Sequence, residues 1–360
     1  MLAVDDSSLV RRLLTEALRN QPLLELVGTA ATGRIALAKL GPLAPDVVVL
    51  DIEMPDLDGL ATLAELRGTH PHLPVVMFSA LTERGAAATL DALAAGATDY
   101  VTKPHGPGGA DAAIHSIREE LVPKLRALGA AAIAAPRRGT ATAAGAAAAR
   151  RRPVADGPIE AVVVGVSTGG PNALGQLVPR LPADLPVPVL VVQHLPSMFS
   201  RLLAERLDAG AQVTVAEGAA HAALAPGQIW IAPGGLHLGV RRDGTAVRLT
   251  TGDGPSVNGC RPSADVLFTD AAAVWGPRVL GVVMTGMGAD GLRGCKAIHA
   301  AGGTIVAQDA ATSVAWGMPG AVATAGLADR VLPLGELAGE IVRRVGVGRR
   351  PAVLGAGRSR

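Results

Sequence analysis

"VVVGVSTGGP", Val162 to Pro171, decides how the second half of this chain is read. A β-branched apolar run ends at Gly165, and a serine then sits among glycines. Pro171 suits the first turn of a helix. Buried strand, tight turn and helix start make up the repeating unit of an open α/β sheet. The letters leave two chemistries open. Ser167 satisfies G-x-S-x-G, in which a strained turn exposes a nucleophilic hydroxyl at the sheet rim. A glycine-rich loop after a strand also describes phosphate cradles. The run G-V-S-T-G-G departs from the dinucleotide pattern, the expected acidic residue is missing, and no Gly-Lys-Ser/Thr run marks a Walker loop.

The ends of the other strands weigh toward the nucleophile. "VPVLVVQ" (187–193) is followed directly by His194, and "VLGVVMT" (279–285) leads into "GMGADG", which contains Asp290. Serine, histidine and aspartate each follow a separate expected strand. A hydrolytic triad needs a nucleophile, a base to take its proton and a carboxylate to orient the base. The chain order Ser, His, Asp differs from the Ser, acid, His order of α/β-hydrolases. Helices are expected after Pro171, Ser197, Ser263, Gly291 and Met318. "GQIWIAP" (227–233), "LHLGVRRDG" (236–244) and "TAVRLTTGDG" (245–254) are short strands with turn signals, which suggests an antiparallel hairpin at one edge of the sheet. His237 and Cys260 are read first as packing or rim residues. Met284 and Met287 suit the core or the site lining equally, and Arg261 is left open between a substrate contact and a contact to the first half.

The first half alternates strand and helix on its own. Strand signals lie at 1–4, 47–50, 75–78 and 99–102, with a weaker one at 24–30; "SLVRRLLTEALRN" (8–20) reads as a helix capped by Ser7 or Ser8. Continuous apolar strands separated by helices indicate a parallel sheet covered on both faces. In such sheets sites gather at the carboxyl ends of the strands. Those ends carry Asp5 and Asp6, Asp51 in "LDIEMPDLDGL", Ser79, and Lys103 in "YVTKP". The carboxylates suit Mg²⁺, a hard cation that takes oxygen ligands. One carboxylate can accept a phosphoryl group, with lysine stabilising the transferred charge. The first strand has only four residues ahead of Asp5, so either it is short or translation starts upstream.

Composition bounds the rest. The 360 residues exceed one ordinary domain, and with 49% hydrophobic but only 2% aromatic residues the cores must be built from Val, Leu, Ile and Ala. Lys and Arg total 33 against 31 Asp and Glu, so no global field draws nucleic acid or an anionic membrane. Two cysteines without a CxxC make no disulfide framework. No basic segment precedes Asp5, which predicts no secretory signal, and no apolar run reaches the roughly 18–20 residues of a membrane helix. The expectation is a cytoplasmic protein without membrane insertion or nucleic-acid partner, and a monomer by default. Residues 129–157 are Ala-, Gly- and Arg-rich with almost no large apolar residue. The expected division is a domain at 1–125, a flexible linker at 126–157, a second domain at 158–347 and a disordered tail at 348–360.

"VDDS", "LDIEMPDLDGL", "SAL" and "YVTKP" resemble the receiver domain of two-component response regulators. The resemblance implies a (βα)5 fold, Asp51 as phosphoacceptor, Mg²⁺ held by Asp5, Asp6 and Asp51, Lys103 as the phosphate contact, and Ser79 with Tyr100 as a switch pair. "GVSTGGP", "QHLPSMF", "IAPGGLHL", "DGPSVNGCRPSADVLF", "VVMTGMGADG" and "AQDAATSVAWGMPGAV" resemble the catalytic domain of the chemotaxis protein-glutamate methylesterase (CheB) family. That resemblance implies a doubly wound, mostly parallel sheet and the roles of nucleophile for Ser167, base for His194 and orienting acid for Asp290. It also implies an oxyanion hole built around Met287 and no cofactor in the catalytic half. The implied substrate is the γ-methyl ester of glutamates on chemoreceptor cytoplasmic domains, with glutamine deamidation as a further activity. A chemotaxis histidine kinase would be the phosphodonor. Two other readings stand beside it: a binding protein whose hydrolase-like half has lost activity, and a receiver-controlled esterase acting on another protein.

Overall fold

The computed structural model of the chain describes residues 1–104, 108–134 and 157–346. Most of the expected linker and the expected tail lie outside the described residues.

The first half is a parallel sheet of five strands. In chain order its elements are β1 (Leu2–Val4), α1 (Ser8–Leu18), β2 (Gly28–Ala30), α2 (Gly33–Leu43), β3 (Val48–Asp51), α3 (Gly59–Thr69), β4 (Val75–Ser79), α4 (Glu83–Ala94), β5 (Asp99–Thr102) and α5 (Gly109–Ala134). The strand order is β2-β1-β3-β4-β5, so the winding reverses between β1 and β3. β1, β3 and β4 are buried along their whole length, as a sheet covered on both faces requires. Ser7, Thr32, Asp58 and Thr82 cap their helices by accepting N–H bonds through their side chains. β1 has three residues. α5 continues past residue 125 into the stretch expected as linker.

The second half holds β6 (Ala161–Val166), α6 (Gly170–Leu177), β7 (Val189–Gln193), α7 (Ser197–Gly210), β8 (Thr214–Glu217), β9 (Gln228–Ile231), β10 (His237–Asp243), β11 (Ala246–Gly252), α8 (Ala264–Trp275), β12 (Val279–Val283), α9 (Leu292–Ala300), β13 (Thr304–Gln308), α10 (Gly317–Thr324), β14 (Arg330–Leu332) and α11 (Leu334–Gly346). Seven strands form a parallel sheet in the order β14-β13-β12-β6-β7-β9-β8, which reverses its winding between β6 and β12. The antiparallel hairpin is β10 with β11, a separate two-stranded sheet. β9, grouped with the hairpin on sequence, pairs in parallel with β7 and β8 instead. Its alternating burial explains the grouping: Ile229 and Ile231 point inward while Trp230 is half-buried.

The two halves share one contiguous apolar cluster, in which Leu90, Leu93 and Tyr100 of the first pack with Phe199 and Leu203 of the second. α4 lies against α6 and α7. No helix among the described residues is long and apolar enough to cross a membrane.

Candidate active site

Ser167 follows β6 and Asp290 lies beyond β12, on either side of the point where the sheet reverses. His194 follows β7, the next strand over. This is where open α/β sheets form their ligand crevice. The turn after β6 is fixed locally. Ser167 N–H donates to the Thr285 carbonyl at 2.9 Å, and Gly170 N–H donates to the Ser167 carbonyl at 2.7 Å. Gly169 sits in the left-handed region at φ 75°, where glycine is favoured. A Cβ on Gly170 would lie 1.8 Å from Gln193 Oε1, so only glycine lets α6 start this close to β7. Gln193 Nε2 also donates to the Ser167 carbonyl at 3.0 Å and ties the turn to the neighbouring strand.

His194 joins the other two residues. Its Nδ1 lies 3.0 Å from Ser167 Oγ and its Nε2 lies 2.8 Å from Asp290 Oδ2. A carboxylate accepts only, so in the neutral ring Nε2 carries the proton and Nδ1 offers its lone pair to the serine. The ring is turned relative to chymotrypsin-type triads, where Nε2 faces the serine. The proton logic is the same. The His194 side chain is 16% exposed and Ser167 is half-buried, so the crevice is open to solvent.

Asp290 is gripped from several sides. Oδ1 accepts from Ser263 Oγ at 2.6 Å, Asn258 Nδ2 at 3.0 Å and Asp265 N–H at 3.2 Å, and Oδ2 accepts from Ala264 N–H at 2.7 Å. The last two amides begin α8, so the carboxylate caps that helix and meets its positive end. Burial pushes the Asp290 carboxyl up, but the bonds from His194, Ser263 and Ala264 outweigh it and hold the group well below the ordinary range. Burial likewise pulls His194 down. The Asp290 bond, then the bond and charge of Cys260, reverse this and raise the imidazole to about 9.

Met287 follows Gly286, where a Cβ would come 2.9 Å from Ser167 Cβ. That places the Met287 backbone beside Ser167. Cys260 Sγ lies 3.6 Å from His194 Nδ1, closer than a rim position implies. Arg261 donates to the carbonyls of Asp253 and Gly254 in its own loop. His237 is buried against the Pro255 carbonyl and Met284 lies fully in the core.

A second constellation lies at the reversal point of the first sheet. Asp5, Asp6 and Asp51 offer carboxylate oxygens within 4.8 Å of one another. Lys103 Nζ lies 2.9 Å from Asp5 Oδ2 and 2.8 Å from Asp51 Oδ2. Those two buried oxygens face the Lys103 ammonium, with no further partner among the described residues. Hard carboxylate oxygens grouped this closely, with one ammonium against their charge, fit a Mg²⁺ ion. Ser79 Oγ points away, donating to the Gly85 carbonyl at 3.1 Å. Tyr100 is buried and stacks on Phe199 of the second half at 4.6 Å between ring centroids, with Lys124 above its ring at 5.2 Å.

Sequence reasoning did not single out Asn258, Ser263, Asp265 and Gln193 as support for the triad. The stretch "VNGCRPSAD" held three of them in plain view, and the signal was its run of short polar residues just ahead of a helix. Ser263 looks like an ordinary cap, yet its hydroxyl serves Asp290 and leaves the capping to that carboxylate.

The protein-family model for the CheB methylesterase matches residues 162–341, and that for the response regulator receiver domain matches residues 1–115. The chain is 46% identical over 357 residues to the protein-glutamate methylesterase/protein-glutamine glutaminase of Trichodesmium erythraeum, covering 96% of this chain and 99% of that one. It is 47% identical over 366 residues to the Nocardioides protein of the same description, covering 99% and 98%. The crystal structure of the Thermotoga maritima CheB methylesterase catalytic domain superposes with a TM-score of 0.51 at 37% identity, covering 51% of this chain and 98% of that one.

Proposed function

The chain belongs to the CheB methylesterase family of carboxylic ester hydrolases and carries a response-regulator receiver domain, and from this we propose that it demethylates glutamate γ-methyl esters on chemoreceptor cytoplasmic domains by a Ser-His-Asp mechanism. The observation that carries the reading is His194, whose two ring nitrogens face Ser167 and Asp290. Ser167 Oγ attacks the ester carbonyl as His194 Nδ1 takes its proton. Asp290 stabilises the imidazolium and is kept ionised by its donors. The developing oxyanion turns toward the backbone N–H groups around Met287. His194 then returns the proton to the leaving oxygen, and methanol departs. Water, giving its proton to His194, hydrolyses the acyl-enzyme and frees glutamate and Ser167. A glutamine amide follows the same path and releases ammonia, which makes deamidation the second activity.

Regulation enters through Asp51. A chemotaxis histidine kinase donates the phosphoryl group, which the Asp51 carboxylate accepts. Asp5, Asp6 and Asp51 would hold Mg²⁺, which supplies positive charge against the phosphoryl oxygens when bound. Lys103 pairs with the same oxygens. Ser79 must leave the Gly85 carbonyl to reach the new group, and that turn leads straight into α4. The receiver rests on the catalytic half through α4 and the Tyr100–Phe199 stack, so a moved α4 loosens the seam. The division into a receiver at 1–125, a linker at 126–157 and a catalytic domain at 158–347 belongs to this proposal, as does action as a cytoplasmic monomer.

Methanol release from methylated chemoreceptor membranes tests the esterase. Ser167→Ala should reduce it by roughly 10⁴-fold or more. Equal release from the variant would refute the serine mechanism and leave a binding protein as the better reading. Acetyl phosphate with Mg²⁺ should raise the wild-type rate and leave Asp51→Asn unchanged. A response from that variant would move the phosphoacceptor elsewhere.

A further inference from the structure

Cys260 has no part in the mechanism above, yet it stands among the reacting groups. Its Sγ lies 3.6 Å from His194 Nδ1, and that same nitrogen lies 3.0 Å from Ser167 Oγ. The thiol's other contact is the Asn258 carbonyl, also at 3.6 Å. A sulfur and an oxygen thus face the same ring nitrogen in a crevice that solvent reaches.

The separations match a coordination geometry. With Zn–S near 2.3 Å and Zn–N near 2.05 Å, the S···N edge of a tetrahedron is about 3.6 Å. With Zn–N and Zn–O both near 2.0 Å, the N···O edge is about 3.3 Å, a few tenths of an ångström wider than the serine contact. The opposite ring nitrogen is already bonded to Asp290. A carboxylate that fixes the tautomer and orientation of a histidine is the usual outer partner of a metal-bound imidazole. His194, Cys260 and Asp290 offer ligand atoms within 4.8 Å of one another. Asp290 faces the nitrogen turned away from the crevice, so it supports the imidazole while Ser167 fills the oxygen position.

We propose that Ser167 Oγ, His194 Nδ1 and Cys260 Sγ form an inhibitory site for a thiophilic divalent cation, with Zn²⁺ as the chemical type. The inhibition rests on the reading of Ser167 and His194 as nucleophile and base. The bound ion occupies the lone pair that His194 needs and holds the serine oxygen, so acylation stops. The thiol proton, and the Nδ1 proton where the ring is charged, pass to solvent as the Zn–S and Zn–N bonds form, and no electron is transferred. Mg²⁺ does not compete, because it prefers oxygen ligands and binds soft sulfur poorly. The two halves therefore select different ions, a hard one at the receiver carboxylates and a soft one at the crevice. The chain's other thiol, Cys295, is fully buried and cannot substitute.

The test uses the full chain with excess Mg²⁺ to occupy the receiver carboxylates. Methanol release is measured against buffered Zn²⁺ for wild type and Cys260→Ala, each relative to its own zinc-free rate. In parallel, Co²⁺ probes the site by absorption. Wild type should lose activity reversibly, recovering with a chelator. The half-inhibiting Zn²⁺ concentration should rise in Cys260→Ala by at least the roughly 10–100-fold that losing an outer partner alone costs. Co²⁺ should give a thiolate charge-transfer band in wild type that the variant lacks. Equal zinc inhibition of both proteins, or a wild-type cobalt spectrum without that band, would overturn the site. An inactive zinc-free wild type would instead sink the esterase reading, while the cobalt spectrum would still decide whether the site exists.

Discussion

Asp51→Asn should stabilise the metal-free chain at neutral pH, and the gain should disappear in acid. The Asp51 side chain is almost wholly buried, and its carboxyl titrates near pH 6 against an ordinary 3.8. Burial is the main cause; the Lys103 bond opposes it and the Asp5 charge adds to it. An acid whose folded value lies above its unfolded value binds protons more tightly when folded. Stability therefore falls as pH rises from about 4 to about 6, and the loss is complete above that window. About two pH units at roughly 1.4 kcal/mol each put the cost of the charge at neutral pH near 3 kcal/mol. Asparagine keeps an acceptor for Lys103 but gives up the ionic part of the contact, so about 1–2 kcal/mol should be recovered. Urea unfolding in a chelator, with hydrogen exchange of the β3 and β4 amides, reads the difference. A variant less stable at pH 7, or a gain of equal size at pH 4 and pH 7, would show that the buried Asp51 charge carries no such cost. Added Mg²⁺ should narrow or reverse the gap, since ligand binding to the folded state favours the chain that keeps the carboxylate.

Esterase activity should climb with pH as His194 loses its proton, because only the neutral imidazole acts as base; a rate profile falling through the same range would contradict the assignment. Stability moves the other way. The His194⁺–Asp290⁻ pair contributes fully below about 6.5, the unfolded value, and its contribution fades as pH rises through about 9, which unfolding of His194→Gln beside wild type would read. Ser263→Ala removes one bond to the buried Asp290 carboxylate, worth about 1.5–3 kcal/mol, and should lower kcat by roughly tenfold or more with little change in KM. Phe199→Leu removes the ring that stacks on Tyr100 and should raise the unphosphorylated rate by about 2- to 12-fold, the equivalent of 0.5–1.5 kcal/mol, while shrinking the gain from acetyl phosphate. An unchanged activation ratio would show that the stack carries no coupling.

Both clusters were legible because parallel sheets gather side chains at strand ends, and the candidate residues named on sequence end, follow or closely trail an apolar run, except Tyr100, which lies inside β5. Where that signal fades, so does the reading. β8 and β14 are short edge strands with exposed positions and offer too few apolar residues to stand out. β13, "TIVAQ", is buried but carries no residue that the chemistry asked for. α11 is amphipathic and passed unnoticed beyond the last motif. Asn258 is exposed and in the left-handed region, the profile of a turn residue, and nothing local reveals that its amide bridges Asp290 and Asp265. The Tyr100–Phe199 stack joins two domains, and no local pattern encodes such a contact.

The same seam bears on the proposed regulation, because it ties the receiver to the loop that carries Ser167. α6 starts three residues after the nucleophile, and Asn172 in its first turn donates to the receiver's Ala97 carbonyl at 2.8 Å. On the other side of the turn, Val314 packs against the receiver core while crowding the Cβ position of Gly169. The receiver thus holds both flanks of the loop that presents Ser167. Part of that hold is weak: the contacts across α4 and α7 include the exposed ion pairs Glu83–Arg201 and Asp91–Arg206, which water and salt weaken. Between α4, α6 and α7 the surfaces leave a cleft of about 480 Å³ lined by Leu90, Leu93, Pro171 and Leu203. A tightly packed seam would lock the receiver in place whatever the state of Asp51. One with a cleft and solvent-exposed ion pairs can be tipped by the few kcal/mol that a single phosphoryl group supplies through new charge-assisted bonds.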